Sequence, residues 1–150
     1  MRLKISKPQL LTGDIAIDDR GILSFCNEFN LSKYKRFYVV SNFQDRFIRA
    51  WHGHLEEEKA VFVISGSALV GAVELDDPHQ PNKLAKPSRF ILSEKKPSIL
   101  LIPKGYANGF MTLESETQVI FFSSHLLKTS SNDDYRYPYD YWDIWATLPR

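Results

Sequence analysis

The sequence predicts an all-β domain, a sandwich or a closed barrel. Two observations carry this expectation. Short runs rich in Val, Ile, Phe and Tyr recur along the chain, each four to eight residues long and bounded by Gly, Pro, Asn, Ser or Lys clusters. No window of helical length carries an apolar stripe at i, i+3, i+4 spacing. Evenly spaced strands with no helices between them pack as a sandwich or roll into a barrel. With 150 residues the chain has one domain's length. A single domain over 1–150 is expected, with an aromatic-rich carboxy-terminal segment from about 132.

In chain order the runs are "RFYVV" (36–40), "RFIRAWH" (46–52), "AVFVI" (60–64), "ALVGAVEL" (68–75), "RFILS" (89–93), "SILLI" (98–102), "GFMTL" (109–113) and "QVIFFSS" (118–124). Upstream, "ILSFCNEF" reads as strand, with Cys26 as a small apolar member of it. "EFNLSKYKRF" comes nearest to a helical pattern and is short. "ISGSAL" reads as a tight hairpin between two strands. "DDPHQPNKLAKPS" is a polar, proline-bearing loop, because the strand pattern resumes directly after it.

Composition narrows the function classes. Nineteen Lys+Arg against 18 Asp+Glu leave a formal charge of +1, which supplies no broad basic surface for nucleic acid. A lone cysteine forms no internal disulfide, so oxidative folding is not implied. The amino terminus, "MRLKISKPQLL", lacks the apolar core of a signal peptide. The longest uncharged apolar stretch, Ala60 to Val73, is shorter than the ~20 residues a membrane span needs. The expectation is a cytoplasmic protein that binds neither membrane nor nucleic acid.

The most informative stretch is "RAWHGHLEEEKAVFVISG", 49–66. If "RFIRAWHGH" is extended, His52 and His54 share a face, with Cβ atoms roughly 6.5–7 Å apart. Each imidazole nitrogen needs a partner, so the pair should face a cavity or solvent rather than a dry core. Strict alternation sends Arg49 and Trp51 the other way, unless a bulge re-aims one of them. Glu56, Glu57 and Glu58 read as a charged loop. His52, His54 and Glu58 also have a spacing that suits a transition metal. The aromatic tail (Tyr135, Tyr137, Tyr139, Tyr141, Trp142, Trp145) reads as packing, with one ring stacked on a base as the sharper alternative.

"HGHLEEE" resembles the first cupin motif, and "PKGYAN" resembles the second. Within the cupins the chain is similar to the nucleotide-sugar epimerases typified by dTDP-4-dehydrorhamnose 3,5-epimerase. The pieces are "DDRG", "IRAWH", Lys59 followed by "AVFVISGSALVGAVELD", "LIPKGYANGFMTL" and the tail "DDYRYPYDYWDIW". The "R-x-aromatic-H-x-H" piece also resembles the sugar 3,4-ketoisomerases. The resemblance implies a cupin jelly roll and a homodimer, with strands exchanged or packed between subunits.

It also implies a nucleoside-diphosphate 4-keto sugar as substrate. Removing a proton beside the ketone needs a base of near-neutral pKa, the enolate needs a cation or donor, and the diphosphate needs arginine or lysine. By resemblance His52 is the base, Lys59 lies by the ketone oxygen, and Arg49 and Arg20 bind substrate. His54 stands beside His52, and Asn108, Tyr38 and Tyr106 complete the expected binding set. Three positions depart from the family pattern. Asn108 stands where the family has histidine, Phe121 stands at the tyrosine acid, and the acidic partner of the base falls beyond Arg150. An amide is a poor transition-metal ligand and Lys59 repels a cation, so no metal and no other cofactor is expected. Epimerase, 3,4-ketoisomerase and a non-catalytic binding module remain open. Phe121 and the histidine pair favour the second, "VGAVELD" and "IPKGYANGF" the first, while Tyr38 or Tyr106 is available as an acid.

Overall fold

The computed structural model describes residues 6–150. Twelve strands follow in order: β1 (Gln9–Thr12), β2 (Asp14–Asp18), β3 (Gly21–Phe25), β4 (Arg36–Ser41), β5 (Ile48–His54), β6 (Lys59–Ser65), β7 (Ser67–Glu74), β8 (Ser88–Ser93), β9 (Ser98–Ile102), β10 (Tyr106–Thr112), β11 (Gln118–Ser123) and β12 (Tyr135–Arg136). A 3-10 turn at Leu31–Lys33 and a one-turn helix α1 (Leu127–Ser130) are the only helical pieces among the described residues. No helix among them is long and apolar enough to cross a membrane.

Two five-stranded antiparallel sheets, ordered β1-β9-β6-β11-β4 and β12-β5-β10-β7-β8, form the all-β barrel expected from the strand pattern, in the jelly-roll form that the resemblance implied. The alternation of each strand decides what fills it. Val61 and Val63 of β6, Val70 and Ala72 of β7, and Val119 and Phe121 of β11 point inward and make the central core. The opposite faces are covered separately. The carboxy-terminal tail packs Trp142 and Trp145 on Trp51, Leu69 and Val73 outside the second sheet. Phe29, Tyr34 and the half-buried Cys26 cover Ala60, Ile99 and Leu101 outside the first. Of the tail rings, Tyr137, Tyr141, Trp142 and Trp145 pack on the second sheet, with a ring-centroid distance of 5.2 Å between Trp51 and Trp145, while Tyr139 stays 53% exposed.

Each of the eight expected strand runs coincides with an observed strand, with shifted ends. The upstream run "ILSFCNEF" overlaps β3, although that strand ends at Phe25 and leaves Cys26 just outside it, and three others escape the pattern: β1, β2 and the two-residue β12. "ISGSAL" is not a hairpin. β6 and β7 lie in different sheets, so this turn is a corner where the chain changes layer. Gly66 makes the corner at φ +79°, and a Cβ there would collide with Thr117. A turn joining paired strands and one joining two sheets carry the same Gly-Ser signal, which is why the sequence reading missed the difference.

The β2–β3 hairpin forms a separate two-stranded sheet. Its side chains are exposed, including Ile17 (73%), Ile22 (71%) and Leu23 (63%), an unusual apolar display on an arm.

Candidate active site

One end of the barrel is polar, and register places it there. Across the first sheet Ser123 pairs with both Arg36 and Lys59, so these three inward positions form one polar rung. The next rung, Tyr38–Phe121–Val61, is aromatic and apolar. In the facing sheet His52 lies opposite Asn108, and His54 opposite Tyr106. Between the sheets opens a cavity of about 350 Å³ lined by Tyr38, Arg49, His52, His54, Lys59, Asn108 and Phe121, with Ser130, Asp134 and Arg136 at its rim.

Arg49 reaches this cavity through a register shift. On β10, Asn108 and Phe110 are two apart, yet they pair with His52 and Arg49, which are three apart on β5. The extra residue turns Arg49 to the same side as His52, and Trp51 remains on the outer face. Gly109 sits opposite the irregularity, and a Cβ on it would strike Ala50. Arg49 Nε donates to Asn42 Oδ1 at 2.7 Å, which holds the guanidinium at the mouth.

His52 is half-buried, and its pKa lies below the usual 6.5. Burial is the main cause and the charge of Arg136 adds to it, while Asp134 opposes both. The ring is therefore neutral at neutral pH, the state a base requires. Asp134 and Arg136 come from the tail, pair with each other at 3.1 Å, and were missed in sequence because a short strand in a polar tail has no periodic signature. Asp134 is the carboxylate whose charge raises the His52 pKa within the described residues.

His54 is buried and oriented. Its Nδ1 lies 2.6 Å from the Asp133 carbonyl and 3.2 Å from Glu57 Oε2. Both neighbours only accept, so Nδ1 carries a proton and points at them. The Asp133 carboxylate accepts the backbone N–H groups of Leu55, Glu56 and Glu57 at 2.7–2.9 Å, fixing the loop after β5.

Glu57 corrects the expectation of a charged loop. Glu56 is exposed and Glu58 pairs with Lys33 at 3.2 Å, but Glu57 is only 1% exposed. Its carboxylate takes Lys59 Nζ at 2.9 Å, Ser130 Oγ at 3.0 Å, Arg36 at 3.3 Å and the Ser123 hydroxyl. Burial pushes its pKa up, but hydrogen bonds from Lys59 and Ser123, with the charges of Lys59 and His54, outweigh it and hold the value at about 2. Lys59 is itself only 5% exposed and donates to the Tyr38 hydroxyl at 3.1 Å. It is inward because it shares parity with Val61 and Val63.

Two expected site residues lie elsewhere. Tyr106 packs against the central core with its hydroxyl 3.4 Å from the Ser6 carbonyl, and does not line the cavity. Arg20 sits at the tip of the β2–β3 hairpin, its side chain 86% exposed and paired to Asp18 at 2.5 Å. Glu58 also faces away, so the metal triad suggested by spacing does not assemble. The residues that do converge are His54, Glu57 and Asp133. Their facing atoms already serve one another and the loop backbone, and the neighbouring Lys59 and Arg36 charges oppose a cation.

The profile of the family described as dTDP-4-dehydrorhamnose 3,5-epimerase matches residues 2–140. The chain belongs to this family. It is therefore an enzyme of the isomerase class. A curated relative, the spore coat polysaccharide biosynthesis protein SpsL of Bacillus subtilis, is 29% identical over 126 residues, covering 82% of each chain. Among solved structures, the dTDP-4-dehydrorhamnose 3,5-epimerase of Bacillus anthracis superposes with TM-score 0.76 at 22% identity, covering 95% of this chain and 86% of that one. A 3,4-ketoisomerase from Helicobacter canadensis gives 0.66 at 22% identity, covering 89% and 92%. These likenesses secure the fold. Both reaction types occur on it, so the chemistry has to be argued from the site.

Proposed function

We propose that the chain acts on a nucleoside-diphosphate 4-keto-6-deoxyhexose, abstracting a proton beside the ketone, in deoxysugar or surface-polysaccharide biosynthesis. The observation that carries this is a half-buried His52, its pKa lowered by burial, and a buried, charge-paired Lys59 in one cavity. His52 takes the proton and Lys59 stabilises the enolate oxygen. The Asn108 amide, opposite His52, hydrogen-bonds the sugar. Arg49 at the mouth binds the diphosphate. No cofactor is required, because the acidity comes from the ketone.

The first reading is 3,5-epimerisation, which needs an acid across the sugar from the base. Phe121 replaces the family's tyrosine, but Tyr38 is its cross-strand partner and stacks on it at 5.2 Å with rings 8° apart. Tyr38 thus brings a hydroxyl, contacted by Lys59, to the neighbouring position. The second reading, 3,4-ketoisomerisation through an enediol, is favoured by a specific feature: His54 offers a second oriented imidazole on the same strand as His52.

The reading includes two copies of the chain, in the cytoplasm where nucleotide sugars are made. The exposed apolar arm carrying Arg20 fits a contact with a second copy, which gives Arg20 a route to that copy's substrate.

The test is incubation with a dTDP-4-keto-6-deoxyhexose in deuterated water. Label at C3 and C5 supports epimerisation, and label at C3 with a 3-keto product supports ketoisomerisation. Tyr38→Phe should retain wash-in of label and lose the epimerised product if Tyr38 is the acid. Binding of the sugar nucleotide without any exchange would sink the catalytic reading and leave a binding module.

A further inference from the structure

We infer that Glu57 is a positioning residue whose carboxylate fixes Lys59 and, together with the Asp133 carbonyl, the His54 ring toward the substrate. This rests on the isomerase reading above. The geometry is divided between its two oxygens. Oε1 holds Lys59 Nζ at 2.9 Å and the Ser123 hydroxyl, and Oε2 lies 3.2 Å from His54 Nδ1 and accepts Ser130 Oγ at 3.0 Å. One group therefore fixes the cation proposed for the ketone oxygen and shares with the Asp133 carbonyl, 2.6 Å from Nδ1, the holding of the imidazole beside the proposed base.

The surroundings are built for this arrangement. Glu57 is buried, and its backbone N–H is held by Asp133 at 2.8 Å. Arg36 Nη2 approaches Glu57 Oε1 at 3.3 Å and also reaches Ser130 Oγ at 3.3 Å. A carboxylate serving only as a structural counter-ion needs one partner. This one is shared among a lysine, an arginine, a histidine and two serines, and two of those partners line the cavity as the residues proposed for chemistry. A lysine ammonium on a flexible four-carbon stem is a poor oxyanion donor unless its position is fixed beforehand, and an unpaired ammonium in this cavity would swing toward water. The His54 ring likewise needs its Nδ1 proton held so that Nε2 presents a lone pair.

The test uses Glu57→Gln, which keeps shape and removes charge. The expected result is a fall in kcat for deuterium wash-in of about 100-fold, the loss typical of a misplaced oxyanion donor, with KM for the sugar nucleotide nearly unchanged, since Arg49 is untouched. In a Lys59→Met background the same change should cost little further, because both act through one interaction. The Lys59 ammonium resonance should be protected from exchange in the wild type and lost in Glu57→Gln. If Glu57→Gln does not fold, Ser130→Ala removes one holder, keeps the carboxylate, and should lower kcat without raising KM. Fully additive losses in the Glu57→Gln and Lys59→Met pair, or equal falls in kcat and affinity, would overturn the positioning role. A wild type that binds but shows no exchange overturns the isomerase reading itself. A wild type that exchanges beside an equally fast Glu57→Gln overturns only the role of Glu57.

Discussion

His52 separates what a sequence can say about a residue from what only a fold can. Its spacing to His54 and Lys59 marked it as a base in the linear pattern. Its protonation state depends on Arg136 and Asp134, some eighty residues away, which no motif connects to it. A pKa below 6.5 means that the neutral form persists as pH falls to 6.5 and disappears only at lower pH. The acid limb of kcat/KM should therefore have its midpoint below 6.5, and His52→Asn should abolish it along with about 10²- to 10⁴-fold of the rate. Asp134→Asn removes the one charge that raises the His52 pKa, so it should move this limb further toward acid. A limb that shifts toward neutral pH in Asp134→Asn, measured by deuterium wash-in across pH, would mean that another group is titrating. Glu57 was illegible for a different reason. In "LEEEK" three carboxylates look alike, and only the loop held by Asp133 decides that the second one turns inward.

At the scale of elements, β-period alternation carried much of the site. Lys59, Val61 and Val63 share parity in the sequence, as do Arg36, Tyr38 and Val40, and the structure turns both sets inward. What alternation alone does not reveal is register, which sets Arg36, Ser123 and Lys59 on one rung and so concentrates charge at one barrel end. Nor does it reveal the irregularity in β5, where strict period-2 reading sends Arg49 outward. Gly109 is the position that makes room for that irregularity, since an added Cβ meets Ala50 Cβ and Cα. Gly109→Ala should cost about 1–3 kcal/mol of stability, the usual penalty of overpacking, read from the denaturant midpoint. It should also raise KM for the sugar nucleotide, because Arg49 is re-aimed. Ala50→Gly in the same chain removes one of the colliding atoms and should recover part of both. A Gly109→Ala protein with wild-type stability and KM would show that the strand absorbs the methyl without moving Arg49.

The whole molecule contains one feature that its own core does not explain. Among the described residues the β2–β3 arm pairs only with itself and displays Ile17, Ile22 and Leu23, and the edge strand β4 shows Phe37 at 63% exposure. Exposed apolar side chains on an arm and an unpaired sheet edge are each costly to leave in water and hazardous for aggregation. Burying them against a second copy removes both problems at once. A stable interface of this kind covers about 1,200–2,000 Å² in total, more than an arm alone supplies, so the sheet edge has to take part. The proposed dimer also gives Arg20 a purpose, since among the described residues its charge partner is Asp18, in solvent, a contact worth little. Sedimentation velocity at micromolar concentration should give twice the chain mass for the wild type. Ile22→Asp should shift it to a single chain mass, because a carboxylate cannot be buried in an apolar contact without a partner. Arg20→Ala should leave the mass unchanged and weaken sugar-nucleotide binding, separating assembly from recognition. Single-chain mass for the wild type, or unaltered binding by Arg20→Ala, would return the arm and its arginine to the solvent.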